Sequence, residues 1–382
     1  MKRLGYILGG VSAAALLCAL FLALTAPGLR LLATGATALS QGQLKLEGVD
    51  GRLAGTIRLK SLTLTTEFQS LYIEQMRLEW RPGALLRGRF EVDAFTAREL
   101  RIEEVKPDPD PLVAPDSLRL PLTLLLHRFE IGQLQVAQYG ETLQFAEVHG
   151  SLDGRGDIYR LGGFGGVAPW ATLDGQLEIA QDAPFRLQGR LDAQRLDAVP
   201  FTARLTLGGE LAAIAFSLQA EANKANFQAS GHARPFPALA VPDLLLAAQG
   251  IDPRLWFADA PRADLAITGK LDYRADGSYS GTLRLDNRLA GRLDQGRVPL
   301  SHVQTALSGD MERVDFSALR VDLGKAGKFE GRASWHSAGF DLELGGAALD
   351  LSGLHNILRP TRLRASMRLA GDLARQTLSA QL

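Results

Sequence analysis

Met76-Arg77-Leu78-Glu79-Trp80 and Leu319-Arg320-Val321-Asp322-Leu323 alternate apolar and charged side chains with a period of two. Successive side chains of a strand point to opposite faces, so this pattern builds a sheet with one apolar and one polar face. The same alternation continues outward from both stretches. It is present in Ile57-Arg58-Leu59, Leu71-Tyr72-Ile73, Phe90-Glu91-Val92, Leu100-Arg101-Ile102 and Leu143-Gln144-Phe145. Leu177-Glu178-Ile179, Leu205-Thr206-Leu207, Phe216-Ser217-Leu218, Leu283-Arg284-Leu285 and Leu342-Glu343-Leu344 repeat it. Turn formers such as Asp153-Gly154, Asp174-Gly175, Gly208-Gly209, Asp276-Gly277 and Gly345-Gly346 separate the runs. The expected fold class is all-β.

Few helices are available to cover the apolar face. Ala33 to Leu39 reads as a short helix. Asp252 is an N-cap with Pro253 at the first helical position, opening a helix through Asp259. Leu354 to Leu358 reads as another, stopped by Pro360. None is long enough to cover a large sheet. The sheet is therefore expected to close on itself as a sandwich or solenoid, or to leave an apolar groove.

One segment differs in kind. Leu4 to Ala26 carries no charged side chain, and about 20 apolar residues suffice to cross a bilayer as a helix. Leu4, Ile7, Leu8, Val11, Leu16, Leu17, Leu20, Phe21, Leu22 and Leu24 would form the membrane anchor. Lys2 and Arg3 favour a cytoplasmic tip at residues 1–3, which places the body of a single-pass chain across the membrane; in a bacterium that means an inner-membrane protein with its body in the periplasm. A cleaved signal peptide competes, but its apolar core is usually ~7–15 residues, and Pro27 obstructs cleavage after Ala26. Cys18 is the only cysteine. It lacks the residues that precede a lipidated cysteine, and it excludes an intrachain disulfide.

The remaining composition narrows the function classes. The 382 residues hold 42 basic and 42 acidic side chains, a balance that argues against nucleic acid as a partner. The six histidines are scattered without metal-ligand spacing. Asp108, Asp110 and Asp116 sit among prolines and lack the glycine of a calcium loop. Gly162 to Gly166 is followed by no phosphate-loop lysine, and no nucleophile elbow surrounds Ser278 or Ser280. Trp80 reads as a packed tryptophan. Neither a catalytic site nor a cofactor or metal is expected, and the protein is not expected to be an enzyme.

After the anchor at 4–26, the expected organisation is a membrane-proximal β module (27–105), a Pro-rich linker (106–117) and a long β array (118–382). Gly162-Gly163-Phe164-Gly165-Gly166 is a second soft point. A weak repeat of strand, short helix, proline and strand runs over Leu244 to Leu271 and again over Leu342 to Leu373, with a degenerate copy at Leu187 to Leu211. Leu378 to Leu382 reads as a strand, so the chain is expected to continue beyond it.

Several stretches in order carry a family resemblance. They are the anchor, then Leu71 through Leu78, Trp80-Arg81-Pro82, Leu85-Leu86-Arg87-Gly88 and Phe90. Next come Pro169-Trp170 with Leu173, Gly175 and Leu177, and Pro184-Phe185 with Leu187 and Gly189. Asp252-Pro253, Ala260-Pro261, Asp286-Asn287, Gly291 and Asp294-Gln295-Gly296-Arg297-Val298-Pro299-Leu300 follow. With these the chain resembles the TamB family of the AsmA-like superfamily, inner-membrane-anchored periplasmic proteins of Gram-negative bacteria. The resemblance implies an elongated curled β-sheet, a β-taco, with an apolar groove that bridges toward the outer membrane. It implies phospholipid transport along that groove. It also implies the alternative role of a scaffold that works with the outer-membrane barrel TamA, through the family's carboxy-terminal region, in assembling outer-membrane proteins or autotransporters.

The candidate groove lining follows from the alternate aliphatic positions. These are Leu71, Ile73, Leu78, Phe90, Val92, Leu143, Phe145, Leu177, Ile179, Leu205, Leu207, Phe216, Leu218, Leu283, Leu285, Val321, Leu323, Leu342 and Leu344. Removing an acyl chain from water is worth ~0.8 kcal/mol per CH₂, so a continuous aliphatic slot would suit phospholipid. The same residues would equally fill a dry core.

Overall fold

The alternating runs become strands. The computed structural model describes residues 24–106, 113–138, 141–195, 200–236, 242–255, 259–274, 276–310, 312–372 and 375–381. These residues form one α-helix, twenty-two strands and five short 3₁₀ turns, so the all-β expectation is met. The chain divides into two compact units, residues 1–111 with 115–193, and 112–114 with 194–382.

The first unit opens with α1 (Ala26–Leu39). It starts earlier than the expected Ala33, because the Thr25 side chain accepts from the Gly28 N–H at 3.1 Å and Pro27 suits the first turn. No helix among the described residues is long and apolar enough to cross a membrane. The expected anchor residues up to Leu22 lie outside the described residues, and Leu24 is exposed.

Ten strands follow: β1 (Leu44–Glu47), β2 (Asp50–Gly51), β3 (Thr56–Thr65), β4 (Gln69–Trp80), β5 (Arg89–Glu104), β6 (Thr123–Gln138), β7 (Glu141–Asp153), β8 (Ile158–Ala168), β9 (Ala171–Ala180) and β10 (Arg186–Arg195). Both β1 and β2 pair with β3, and pairing then runs from each strand to the next as far as β10. The β5–β6 pair is parallel, from Arg89 opposite Thr123 to Glu103 opposite Ala137. The Pro-rich stretch therefore joins neighbouring strands of one unit, with residues 107–112 outside the described part. Ile73, Ala97 and Ile131 are buried together, with Leu62, Met76, Phe95, Leu100 and Phe129 packed around them. Trp80 is half-buried. Its Nε1 donates to the Leu53 carbonyl at 2.7 Å, and its ring lies 5.4 Å from that of Phe90.

The second unit is a succession of antiparallel neighbours: β11 (Phe201–Glu210), β12 (Ala213–Ala222), β13 (Ala225–Ala233), β14 (Asp243–Ile251), β15 (Leu265–Tyr273), β16 (Tyr279–Asn287), β17 (His302–Gly309), β18 (Arg313–Asp322), β19 (Lys328–His336), β20 (Gly339–Leu349), β21 (Leu363–Gly371) and β22 (Gln376–Gln381). Four successive connections at one end of the strands hold 3₁₀ turns: Pro253–Leu255, Leu293–Gln295, Gly324–Ala326 and Leu351–Gly353. The repeat expected at 244–271 and 342–373 is this strand, 3₁₀ turn and strand, and it also occupies β16–β17 and β18–β19. The helix expected at Leu354 to Leu358 does not form. The turn falls earlier because the Asp350 side chain accepts from the Ser352 N–H at 3.0 Å and caps it there. The Asp252 stretch is likewise a 3₁₀ turn, with residues 256–258 outside the described part.

Left-handed residues interrupt the alternation at Gln75 (φ 50°), Glu147 (φ 53°), Ala318 (φ 48°) and Ala348 (φ 56°). Each lies where the apolar spacing steps from two to three: Ile73 to Met76, Phe145 to Val148, Phe316 to Leu319, and Gly346 to Leu349. A strict two-residue period would turn the second half of each strand inside out. The extra residue resets the phase, so that the apolar side chains stay on one face.

Candidate functional site

Directly opposite residues in a β-ladder share a face, so the register shows how the apolar side chains line up. In the second unit one row crosses all the strands from β11 to β22: Leu207, Phe216, Gly231, Leu244, Leu271, Gly281, Leu307, Phe316, Ala333, Leu342, Leu369 and Leu378. No polar residue interrupts it. A second row runs Ala220, Phe227, Ala248, Ile267, Leu285, Val303, Val321, Phe329 and Gly346. Between them lie Leu205, Leu218, Ala229, Leu246, Gly269, Leu283 and Thr305. Beyond the bulge of β18 this middle row resumes as Leu319, Gly331, Leu344, Met367 and Ala380.

These rows are covered only in part. Leu307 and Leu319 are buried, but most of the remaining large side chains are half-buried, and Leu246 and Leu378 are 38% and 61% exposed. No large side chain among the described residues is fully buried. An open cavity of about 1100 Å³ lies against β18–β22, with Leu344, Met367, Leu378 and Ala380 in its lining.

The alternate positions are mostly polar. Arg204, Gln219, Gln228, Thr268, Arg284, Gln304, Arg320 and Glu330 form one such row, interrupted only by Ala247 between Gln228 and Thr268. Ion pairs lace this face: Arg284 with Asp286 at 2.7 Å and Arg332 with Glu343 at 2.7 Å. The Arg284 guanidinium, and next the hydrogen bond from His302, hold the Asp286 carboxyl down to about 2 against partial desolvation.

In the first unit, Leu71 and Leu143 belong to the row Leu64, Leu71, Ile102, Val136, Leu143. Ile73 and Phe145 belong to Leu62, Ile73, Leu100, Leu134, Phe145. Leu78 faces Ile57 and Phe95, and Phe90 faces Leu124. Val92 and Leu177 belong to the row Trp80, Val92, Leu126, Leu152, Leu161, Leu177, and Ile179 faces Tyr159. Here Ile73 and Val92 are buried, whereas Leu143 is exposed. The candidate lining residues thus fall into apolar rows within each unit, with Leu323 just beyond the end of β18.

One constellation escaped sequence reasoning. Glu91, Asp93 and His127 bring ligand-type atoms within 4.8 Å of one another. The parallel β5–β6 pairing creates this neighbourhood, and no linear spacing signals it. Arg81 already pairs with both carboxylates, at 2.9 Å from Glu91 and 2.7 Å from Asp93, and His127 Nε2 lies 3.2 Å from Glu91.

Residues 15–164 match the family model described as TamB, N-terminal domain. No curated protein and no solved structure matches the chain.

Proposed function

We propose, from a chain whose residues 15–164 are the amino-terminal portion of a TamB-family protein, that its apolar face carries phospholipid acyl chains. The family match suggests a TamB-like role in the translocation and assembly module. The finer reading is an inner-membrane-anchored body in the periplasm that moves phospholipid toward the outer membrane, by binding and not by catalysis. One observation supports it: the unbroken apolar row from Leu207 to Leu378, left largely half-buried instead of sealed in a dry core.

The chemistry suits an unspecific aliphatic guest. Full transfer of a 16-carbon chain from water is worth about 12 kcal/mol at ~0.8 kcal/mol per CH₂. A face open on one side removes only part of that chain from water, which holds the lipid while letting it move on. Glycines and alanines recur between the large residues, so no deep socket fixes one position.

A photo-crosslinker at Leu283, compared with one at Arg284, tests this directly. The two positions are adjacent in β16 but belong to opposite faces. Lipid adducts at Leu283 and none at Arg284 are expected in cells. Equal or absent labelling at both would reject the conduit and leave the scaffold role, in which the strands support an outer-membrane barrel partner.

A further inference from the structure

The second apolar row ends beside a polar cavity. Val321 lies next to the end of β18 and Leu323 follows just beyond it, while Val303 and Ser301 share a face by alternation in and before β17. Leu323 and Ser301 line a cavity of about 640 Å³ together with Arg292, Gln295, Lys325 and Ser352. Its walls come from the connections β16–β17, β18–β19 and β20–β21. Hydrogen bonds fix these connections to one another: Leu293 N–H to the Leu354 carbonyl at 2.9 Å, Asn356 N–H to Asp294 Oδ1 at 3.2 Å, and Asp350 N–H to the Ala326 carbonyl at 3.1 Å.

The polar groups here favour an anion. Lys325 has no ion-pair partner among the described residues. Arg292 pairs with Asp294 at 3.1 Å, yet its Nε is buried and lacks an acceptor among the described residues. Buried polar groups are normally hydrogen-bonded, so this N–H is available to an acceptor brought by a guest. Asp350 also lines the cavity, but its Oδ1 already accepts from Ser352 N–H at 3.0 Å, Ser352 Oγ at 2.7 Å and Thr361 N–H at 3.2 Å. Across the three connections, six cations (Arg288, Arg292, Arg297, Lys325, Arg359, Arg362) stand against two carboxylates (Asp294, Asp350). Exposed apolar side chains, Leu293 and Ile357, lie among them.

We propose that this cavity takes the phosphate of a phospholipid whose acyl chains lie along Leu285, Val303, Val321 and Phe329. The assignment rests on the lipid-carrying reading of the apolar face and adds the orientation of the guest. Headgroups sit at the 3₁₀-turn end of the strands, and chains run across β16–β19 along this row. Arg292 and Lys325 supply charge-assisted hydrogen bonds to the phosphate oxygens, and Ser301 and Gln295 offer neutral donors.

The test measures binding of three probes to the full chain: dihexanoylphosphatidylglycerol, dihexanoylglycerol, which has no phosphate, and glycerol 3-phosphate. Arg292→Gln with Lys325→Gln should weaken the phospholipid about tenfold or more and leave dihexanoylglycerol unchanged. Glycerol 3-phosphate should bind more weakly and lose its binding in the same variant. Lys325→Gln alone, at an exposed side chain, guards against a folding defect and should show a smaller loss in the same direction. If the double variant binds phospholipid like the parent while Leu285→Arg abolishes binding, the headgroup site is wrong and the apolar-face reading stands. If only glycerol 3-phosphate binds, the cavity holds a free phosphate and the lipid assignment falls with the reading beneath it.

Discussion

Leu246→Arg distinguishes an open apolar face from a closed core. Leu246 stands between Ala229 and Gly269 in the middle row and is 38% exposed. Fully burying a leucine is worth about 1.5–3 kcal/mol, so the buried share of this side chain is worth about 1–2 kcal/mol. Arginine in its place can lay its stem along the apolar surface and keep its guanidinium in water. The expected loss of stability is therefore about 1–2 kcal/mol, read from the shift of the urea midpoint at unchanged m-value. A sealed core would instead bury an unpaired charge, at about 3–5 kcal/mol or more. Thr268→Arg, on the exposed polar face opposite Ala247, is the control and should stay within about 0.5 kcal/mol. In the open case the variant accumulates normally but carries a charge across the lipid path, so crosslinking of lipid at Leu283 should fall. Unfolding of Leu246→Arg, or a stable variant with undiminished lipid labelling, would refute the reasoning.

Ala318→Val should cost about 1–2 kcal/mol in thermal or urea unfolding, because a β-branched side chain clashes in the left-handed conformation that resets β18; Ala318→Gly should be neutral or stabilising, and a harmless valine would contradict the bulge. Asp286 has a depressed carboxyl, so its contribution to stability is complete above the ordinary aspartate range and disappears as pH falls through about 2. Arg284→Gln should therefore be destabilising at pH 6, with the difference from the parent closing as the solution is acidified from pH ~4 toward ~2. Urea titrations across that range would expose a pH-independent gap, which would rule out the Arg284–Asp286 pair as its source.

The face assignment was legible because alternation has only two phases. Met76-Arg77-Leu78 and Leu319-Arg320-Val321 each declare an apolar side without reference to any partner. The phase resets were also written in the chain, as the three-residue steps Ile73 to Met76 and Phe316 to Leu319. Their meaning emerges only from the pairing: at β18 both neighbours advance two residues where β18 advances three. Which strand pairs with which was not legible at β5 and β6, since parallel and antiparallel strands share one period. The contact of Glu91 with His127 was hidden for that reason. The end cavity was hidden for another: Arg292, Lys325 and Ser352 meet through 3₁₀ turns held by Asp350 and by backbone bonds between loops, and short turns leave little mark in composition. Asn287 gave a fragment of it. It is buried, with its Oδ1 accepting from the Asp264 and Leu289 N–H groups at 3.1 and 3.0 Å, and so ties the start of that loop to the strand beside it.

The neighbour-to-neighbour pairing of β11 through β22 bears on how the chain acquires its structure. Every described pairing in this unit joins strands consecutive in sequence, so each closes only the one connection between them, and because closure entropy grows slowly with length little is lost per step. A nascent strand finds its partner already in place as it is synthesised, and growth proceeds by accretion on a single edge, as in repeat proteins. The first unit contains the exception. β6 must wait for a crossover after β5 before it can align, and until then the β5 edge stands unpaired. The slow, vulnerable moment in the birth of this protein therefore falls early, around residue 120, and the long array after it can assemble as fast as it is made.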